Sequence, residues 1–79
     1  MDLIKIDVEG AEYFVLLGMK NLLKKGNPKL IIEISNKTIN LKELLKYLEK
    51  MGYVQQGVLD DVKYKGGWYK NILFVKNQN

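Results

Sequence analysis

At 79 residues the chain has room for one small domain, and a chain of that size buries only about 60% of the surface its unfolded form exposes. It has neither cysteine nor histidine, which removes disulfides, thiolate metal sites, the commonest general base and the commonest nitrogen ligand, so any catalysis rests on carboxylates, lysines, tyrosines or a bound cofactor. The net charge of +4 comes from thirteen basic residues, all lysine; such a coat usually solubilises, nucleic-acid readers favour arginine, and charges interrupting every apolar run exclude a membrane span and point to a cytoplasmic chain.

The opening stretch, Asp2 to Glu12, organises everything after it. Ile4, Ile6 and Val8 fall on one face of a strand, and Leu3, Lys5 and Asp7 on the other. The run ends in acids and a glycine, so a buried strand is expected to deliver Asp7 and Glu9 to its carboxyl end, where open α/β sheets place their chemistry. A helix is predicted from Gly10 to Lys25, closed by Gly26 and stopped by Pro28. Glu12 shares its core stripe with Val15, Leu16, Met19, Leu22 and Leu23. An acid there is either a first-turn residue favoured by the macrodipole and unpaired N–H groups, or part of a site. Asp7 likewise reads as a turn acid capping the helix or as a functional group. Gly18, which costs about 1 kcal/mol relative to alanine within a helix, is expected to permit close approach to the sheet. Tyr13, Phe14 and Leu17 project away from the stripe and predict a second buried contact.

Lys29 to Ser35 reads as a second strand, parallel to the first and buried on both faces. Leu30, Ile32 and Ile34 share one side. Glu33 lies beside Ile31 on the other, either near a substrate edge or exposed because nothing covers that face. After a loop from Asn36 to Ile39, Asn40 followed by Glu43 resembles an N-cap with its reciprocal partner. The helix it opens carries Leu41, Leu44, Leu45, Leu48 and Met51 on one stripe and ends at Gly52. Tyr53 to Val58 is a third strand, Asp60 to Lys70 a polar loop turning at Gly66-Gly67, and Asn71 to Lys76 a fourth strand. Residues 77–79 read as a flexible tail. The order β-α-β-α-β-β places both helices on one face of the sheet and makes the last two strands an antiparallel hairpin, with the fourth able to insert between the second and third.

The run Lys5-Ile6-Asp7-Val8-Glu9-Gly10 with Glu12, followed by Val15-Leu16, Gly18, Leu22-Leu23-Lys24-Lys25, Pro28-Lys29 and Ile31-Ile32-Glu33-Ile34, resembles the C-terminal half of FkbM-type S-adenosylmethionine-dependent methyltransferases. Leu48, Met51-Gly52-Tyr53 and Asn71-Ile72-Leu73-Phe74-Val75 extend the likeness over nearly the whole chain. The resemblance implies the fourth to seventh strands of a Rossmann-like sheet, the seventh antiparallel, and methyl transfer to hydroxyl oxygens of sugars or natural-product intermediates. It implies Asp7 and Glu9 as the catalytic acids, Asp7 also beside the cofactor's methyl group, and Glu12, Glu33 and Asn36 on the acceptor side. Phe14 and Leu17 stand where the family tends to be polar.

The resemblance further implies that the first three strands lie outside this half-domain, with the glycine-rich cofactor loop and the acid that binds the ribose. Gly66-Gly67 is no substitute, being in a hairpin. Met1 directly before the motif suggests an internal start, a truncated gene or a fragment. The chain alone is therefore expected to bind no S-adenosylmethionine and to be inactive. An unpaired first strand and an uncovered sheet face predict a homodimer or higher oligomer, sealed by those surfaces and by Tyr13, Phe14 and Leu17, or assembly with a separate N-terminal half. A weaker alternative is single-stranded nucleic-acid binding by Lys63, Lys65, Trp68, Tyr69 and Lys70, set against the plainer reading that the aromatics pack over the hairpin. The sequence names no metal.

Overall fold

The computed structural model describes residues 2–77. Within them, β1 (Leu3–Ile6) leads to two short helices, α1 (Glu12–Gly18) and α2 (Lys20–Lys25). Then come β2 (Lys29–Ser35), α3 (Leu41–Lys50), β3 (Tyr53–Tyr64) and β4 (Gly67–Lys76). The strands form one sheet in the order β1-β2-β4-β3. β1 and β2 are parallel, and β4 runs antiparallel to both of its neighbours. This is a mixed α/β architecture compatible with half of a Rossmann-like sheet.

Period-two burial along β2 sets the layers. Leu30, Ile32 and Ile34 are buried in one cluster with Ile6, Ile72 and Phe74 from the sheet and Leu16, Leu23, Leu44 and Leu48 from the helices. All three helices therefore cover the same sheet face. The opposite face presents Leu3, Lys5, Ile31, Glu33, Asn71 and Leu73, with no second helical layer among the described residues. Two polar ties lock the far edge: the Tyr53 hydroxyl donates to the Pro28 carbonyl at 2.7 Å, and Lys76 Nζ donates to the carbonyls of Leu23 and Gly26 at the end of α2. Among the described residues no helix is long and apolar enough to cross a membrane.

Several sequence expectations need correction. The predicted helix from Gly10 to Lys25 breaks at Met19, whose N–H reaches back three residues to the Leu16 carbonyl and tightens the turn. The break shifts the phase of the stripe, and Leu22 ends up exposed while Leu23 is fully buried. Gly18 does not mediate close packing: a Cβ there would meet nothing within 4 Å. Asn40 does precede α3, but with left-handed backbone (φ 55°) and no side-chain cap, so only its carbonyl engages the helix, accepting from Leu44. Leu45, assigned to the core stripe of α3, is exposed.

The largest correction concerns Asp60 to Lys70. Most of this segment is strand, paired residue by residue from Asp60–Asn71 to Tyr64–Gly67 around a turn at Lys65-Gly66. Gly66 adopts φ +94°, the left-handed region glycine enters without cost. At the chain's other end, the Asn77 N–H is tied to the Gly52 carbonyl at 2.7 Å, while residues 78–79 of the expected tail lie outside the described residues.

Candidate functional site

The turn leaving β1 is built on Glu12. Two consecutive residues, Glu9 (φ 51°) and Gly10 (φ 104°), take left-handed backbone and fold the chain back toward the sheet. Two N–H groups in this turn, those of Val8 and Gly10, need acceptors, and the Glu12 carboxylate supplies them. It accepts from Val8 N–H at 3.1 Å and from Gly10 N–H at 3.1 and 3.3 Å through its two oxygens. Gly10 is also pinned from the other side. Its carbonyl accepts from Ile39 N–H at 2.9 Å, and a Cβ on it would lie 2.5 Å from the Lys37 carbonyl oxygen. The turn after β1 and the loop after β2 are thereby fused into one rim.

Three acids converge beneath this rim. Asp7 is exposed, Glu33 half-buried and Glu12 fully buried, and one carboxylate oxygen from each lies within 4.8 Å of the others. Parallel register explains the meeting: Ile6 pairs with Ile32, so Asp7 and Glu33 follow side by side on the uncovered face. The Glu33 carboxyl titrates above its ordinary value of 4.5. Burial is the main cause, followed by a hydrogen bond and repulsion from Asp7 and repulsion from Glu12, with Lys5 opposing.

The row continues across the sheet. Asn71 stands opposite Glu33 on β4, and Asp60 opposite Asn71 on β3. Asn71 Nδ2 donates to Asp60 Oδ2 at 3.0 Å. Sequence reasoning missed both residues, although a lone asparagine opening the apolar run Ile72-Leu73-Phe74-Val75 was a visible signal.

The remaining predicted positions lie apart from this cluster. Glu9 is exposed on the rim and Asn36 is engaged with the hairpin: its Oδ1 accepts from Trp68 N–H at 3.0 Å and its Nδ2 donates to the Gly66 carbonyl at 3.4 Å. On the hairpin, Trp68 packs half-buried against the core, and Lys70 sits 4.0 Å from Asp61 and 6.0 Å from the Trp68 ring centre. Tyr13 and Leu17 line a hollow of about 420 Å³ with Lys20, Lys24, Tyr47, Lys50 and Met51, on the helical side and away from the acids.

Chemically, the cluster is a set of acceptors. It can take a proton from a hydroxyl, hold hydrogen-bond donors, or face a positive centre. Residues 1–54 match a family model described as Methyltransferase FkbM domain. No curated protein and no solved structure gives a significant match.

Proposed function

The chain belongs to the FkbM methyltransferase family, and from that premise we propose that it forms the acceptor side of an S-adenosylmethionine-dependent O-methyltransferase site. The observation that carries this reading is the convergence of Asp7 and Glu33 at the carboxyl end of two parallel strands, the edge at which open α/β sheets bind their substrates. The carboxylates suit the cofactor's cationic sulfonium and an acceptor's hydroxyls, and Asp7 is the residue that would face the methyl group. S-adenosylmethionine brings a methyl already activated for transfer, so the protein's task is to align an oxygen nucleophile and accept its proton.

Asp7 is the exposed acid of the cluster and takes that proton as the acceptor oxygen is methylated. Glu33, beside it, shares hydrogen-bonding with Asp7 and orients the acceptor's donor groups. Glu12 holds the rim rigid, so that Asp7 is presented at a fixed height above the strand ends. Glu9 completes the acceptor side at the rim, and Asn36, its amide committed to the hairpin backbone, shapes that rim without facing the acceptor.

Residues outside these 79 supply the glycine-rich cofactor loop, on the same polypeptide or another. Titrating the 79-residue chain with S-adenosylmethionine by calorimetry tests this division: no binding is expected, and micromolar binding would show that the chain holds its own cofactor site. Co-expression with the cofactor-binding half of an FkbM methyltransferase should restore methyl transfer, and Asp7→Asn should abolish it. A second reading, self-association, is favoured by the outer edge of β1, where Leu3 is 60% exposed, and by the uncovered sheet face. Light scattering that finds a folded monomer would contradict it.

A further inference from the structure

We propose that Asp7, Glu12 and Glu33 together bind one hard divalent cation, with Asn71 Oδ1 turned toward the same site. The spacing comes first. Hard divalent ions hold oxygens at roughly 2.0–2.6 Å, so ligands on opposite sides of one ion stand about 4–5 Å apart. The three carboxylate oxygens lie within 4.8 Å of one another, inside that span. Glu12 retains capacity for an ion: its carboxylate receives three N–H contacts, and a carboxylate offers about four lone-pair sites. With no histidine or cysteine in the chain, an oxygen-only donor set selects magnesium, calcium or manganese over softer metals.

An independent observation lies on β4. Asn71 is only 9% exposed, and its Oδ1 is buried without a hydrogen-bond partner. Its Nδ2 is committed to Asp60 on β3. In the strand order β2-β4-β3, Glu33 is the direct cross-strand neighbour of Asn71 on the side away from Asp60, and in the proposed site the unpartnered Oδ1 turns toward it. An amide oxygen beside ionised carboxylates cannot be satisfied by them, since they only accept. A buried acceptor without a donor costs about 1–3 kcal/mol, and a cation answers this acceptor and the three mutually repelling carboxylates at once. A single proton shared between Asp7 and Glu33 would leave the Asn71 acceptor unanswered.

The site uses the same acids as the proposed acceptor side but does not depend on methyl transfer, and its test reads ion binding alone. Manganese titrated into the 79-residue chain, followed by loss of the free-ion signal in electron paramagnetic resonance, should saturate at one ion per chain. Magnesium and calcium should compete, and each should raise the melting temperature. Asp7→Asn and Glu33→Gln remove charges that are exposed or half-exposed, so the variants should fold, and each should weaken binding by at least about tenfold. Glu43→Gln, on the solvent side of α3, should bind like the parent. Unsaturable binding at millimolar manganese, or unchanged affinity in both Asp7→Asn and Glu33→Gln, would overturn the proposal.

Discussion

Replacing Glu12 with alanine asks how much of the fold hangs on a single buried carboxylate. The side chain is 1% exposed and is the acceptor for the N–H groups of Val8 and Gly10. Truncation leaves the buried Gly10 N–H without a partner, at about 1–3 kcal/mol, while the more exposed Val8 N–H can turn to water. The one buried methylene that alanine lacks adds about 0.8 kcal/mol. Relief of repulsion from Asp7 and Glu33 returns a part. The net expected loss is about 2–3 kcal/mol, against a total stability of roughly 4–12 kcal/mol for a chain of this length. Urea denaturation in the presence of a chelator, followed by circular dichroism, reads the loss directly. With an m-value near about 1 kcal/mol/M the midpoint should fall by several molar, or the variant should be unfolded in buffer. Glu12→Gln keeps the shape and one acceptor oxygen but turns an amide donor toward a backbone donor, so it should fall between parent and alanine variant. A Glu12→Ala protein within about 0.5 kcal/mol of the parent would refute the reasoning and mean that contacts with Lys37 and Ile39 hold the turn unaided.

The raised Glu33 pKa makes a signed prediction for metal-free protein. The folded state binds the Glu33 proton more tightly than the unfolded state, so this contribution to stability is fully present below the unfolded value near 4.5 and is lost as pH rises through the higher folded value. Glu33→Gln should therefore flatten the pH profile of the urea midpoint across that window and be the more stable protein at neutral pH. Lys76→Met should cost about 1–2 kcal/mol, because it removes charged donors from the last carbonyls of α2 while retaining the apolar stem over Tyr53. Its effect should shrink in high salt. Gly10→Ala meets both a positive φ and the Lys37 carbonyl, and a loss of at least about 2 kcal/mol is expected in thermal melts.

What was legible in the sequence was whatever rests on uninterrupted periodicity. The alternation through Ile4, Ile6, Leu30, Ile32 and Ile34 gave two parallel strands and the buried face, and it set Glu33 on the opposite side. The α3 stripe was readable for the same reason, apart from Leu45. Where the chain adds or drops a residue, the pattern misleads. Register shifts place Gln56 and Leu59 as extra residues in β3, which scrambles the alternation of Val58, Val62 and Tyr64 and makes a strand look like a polar loop. The break at Met19 does the same to the helix, and at Asn40 the residue type suits both an N-cap and left-handed backbone, so composition does not choose between them. The Lys5-to-Glu12 motif exposed Asp7 and Glu9 as candidates. The sequence marks Glu33 as a candidate and lets the fourth strand insert beside the second, but the register that sets Asn71 opposite Glu33 and Asp60 opposite Asn71 is a long-range pairing that no local window contains.

The signs of the expected stability changes separate the acids by role. Glu12 is held by backbone donors and its loss should unfold the rim, which is the behaviour of a structural residue that also faces the site. Glu33 has the opposite sign: its charge is disfavoured in the folded state, and nothing in the core requires a carboxylate at that place on β2, since the buried side of the strand is made by Leu30, Ile32 and Ile34. A half-buried acid whose charge the fold disfavours, set beside a second acid at a strand end, fits the pattern of binding and catalytic sites. If Glu33→Gln instead proved destabilising at neutral pH without metal, the row would be a folding device, and the functional assignment would fall back on Asp7 alone.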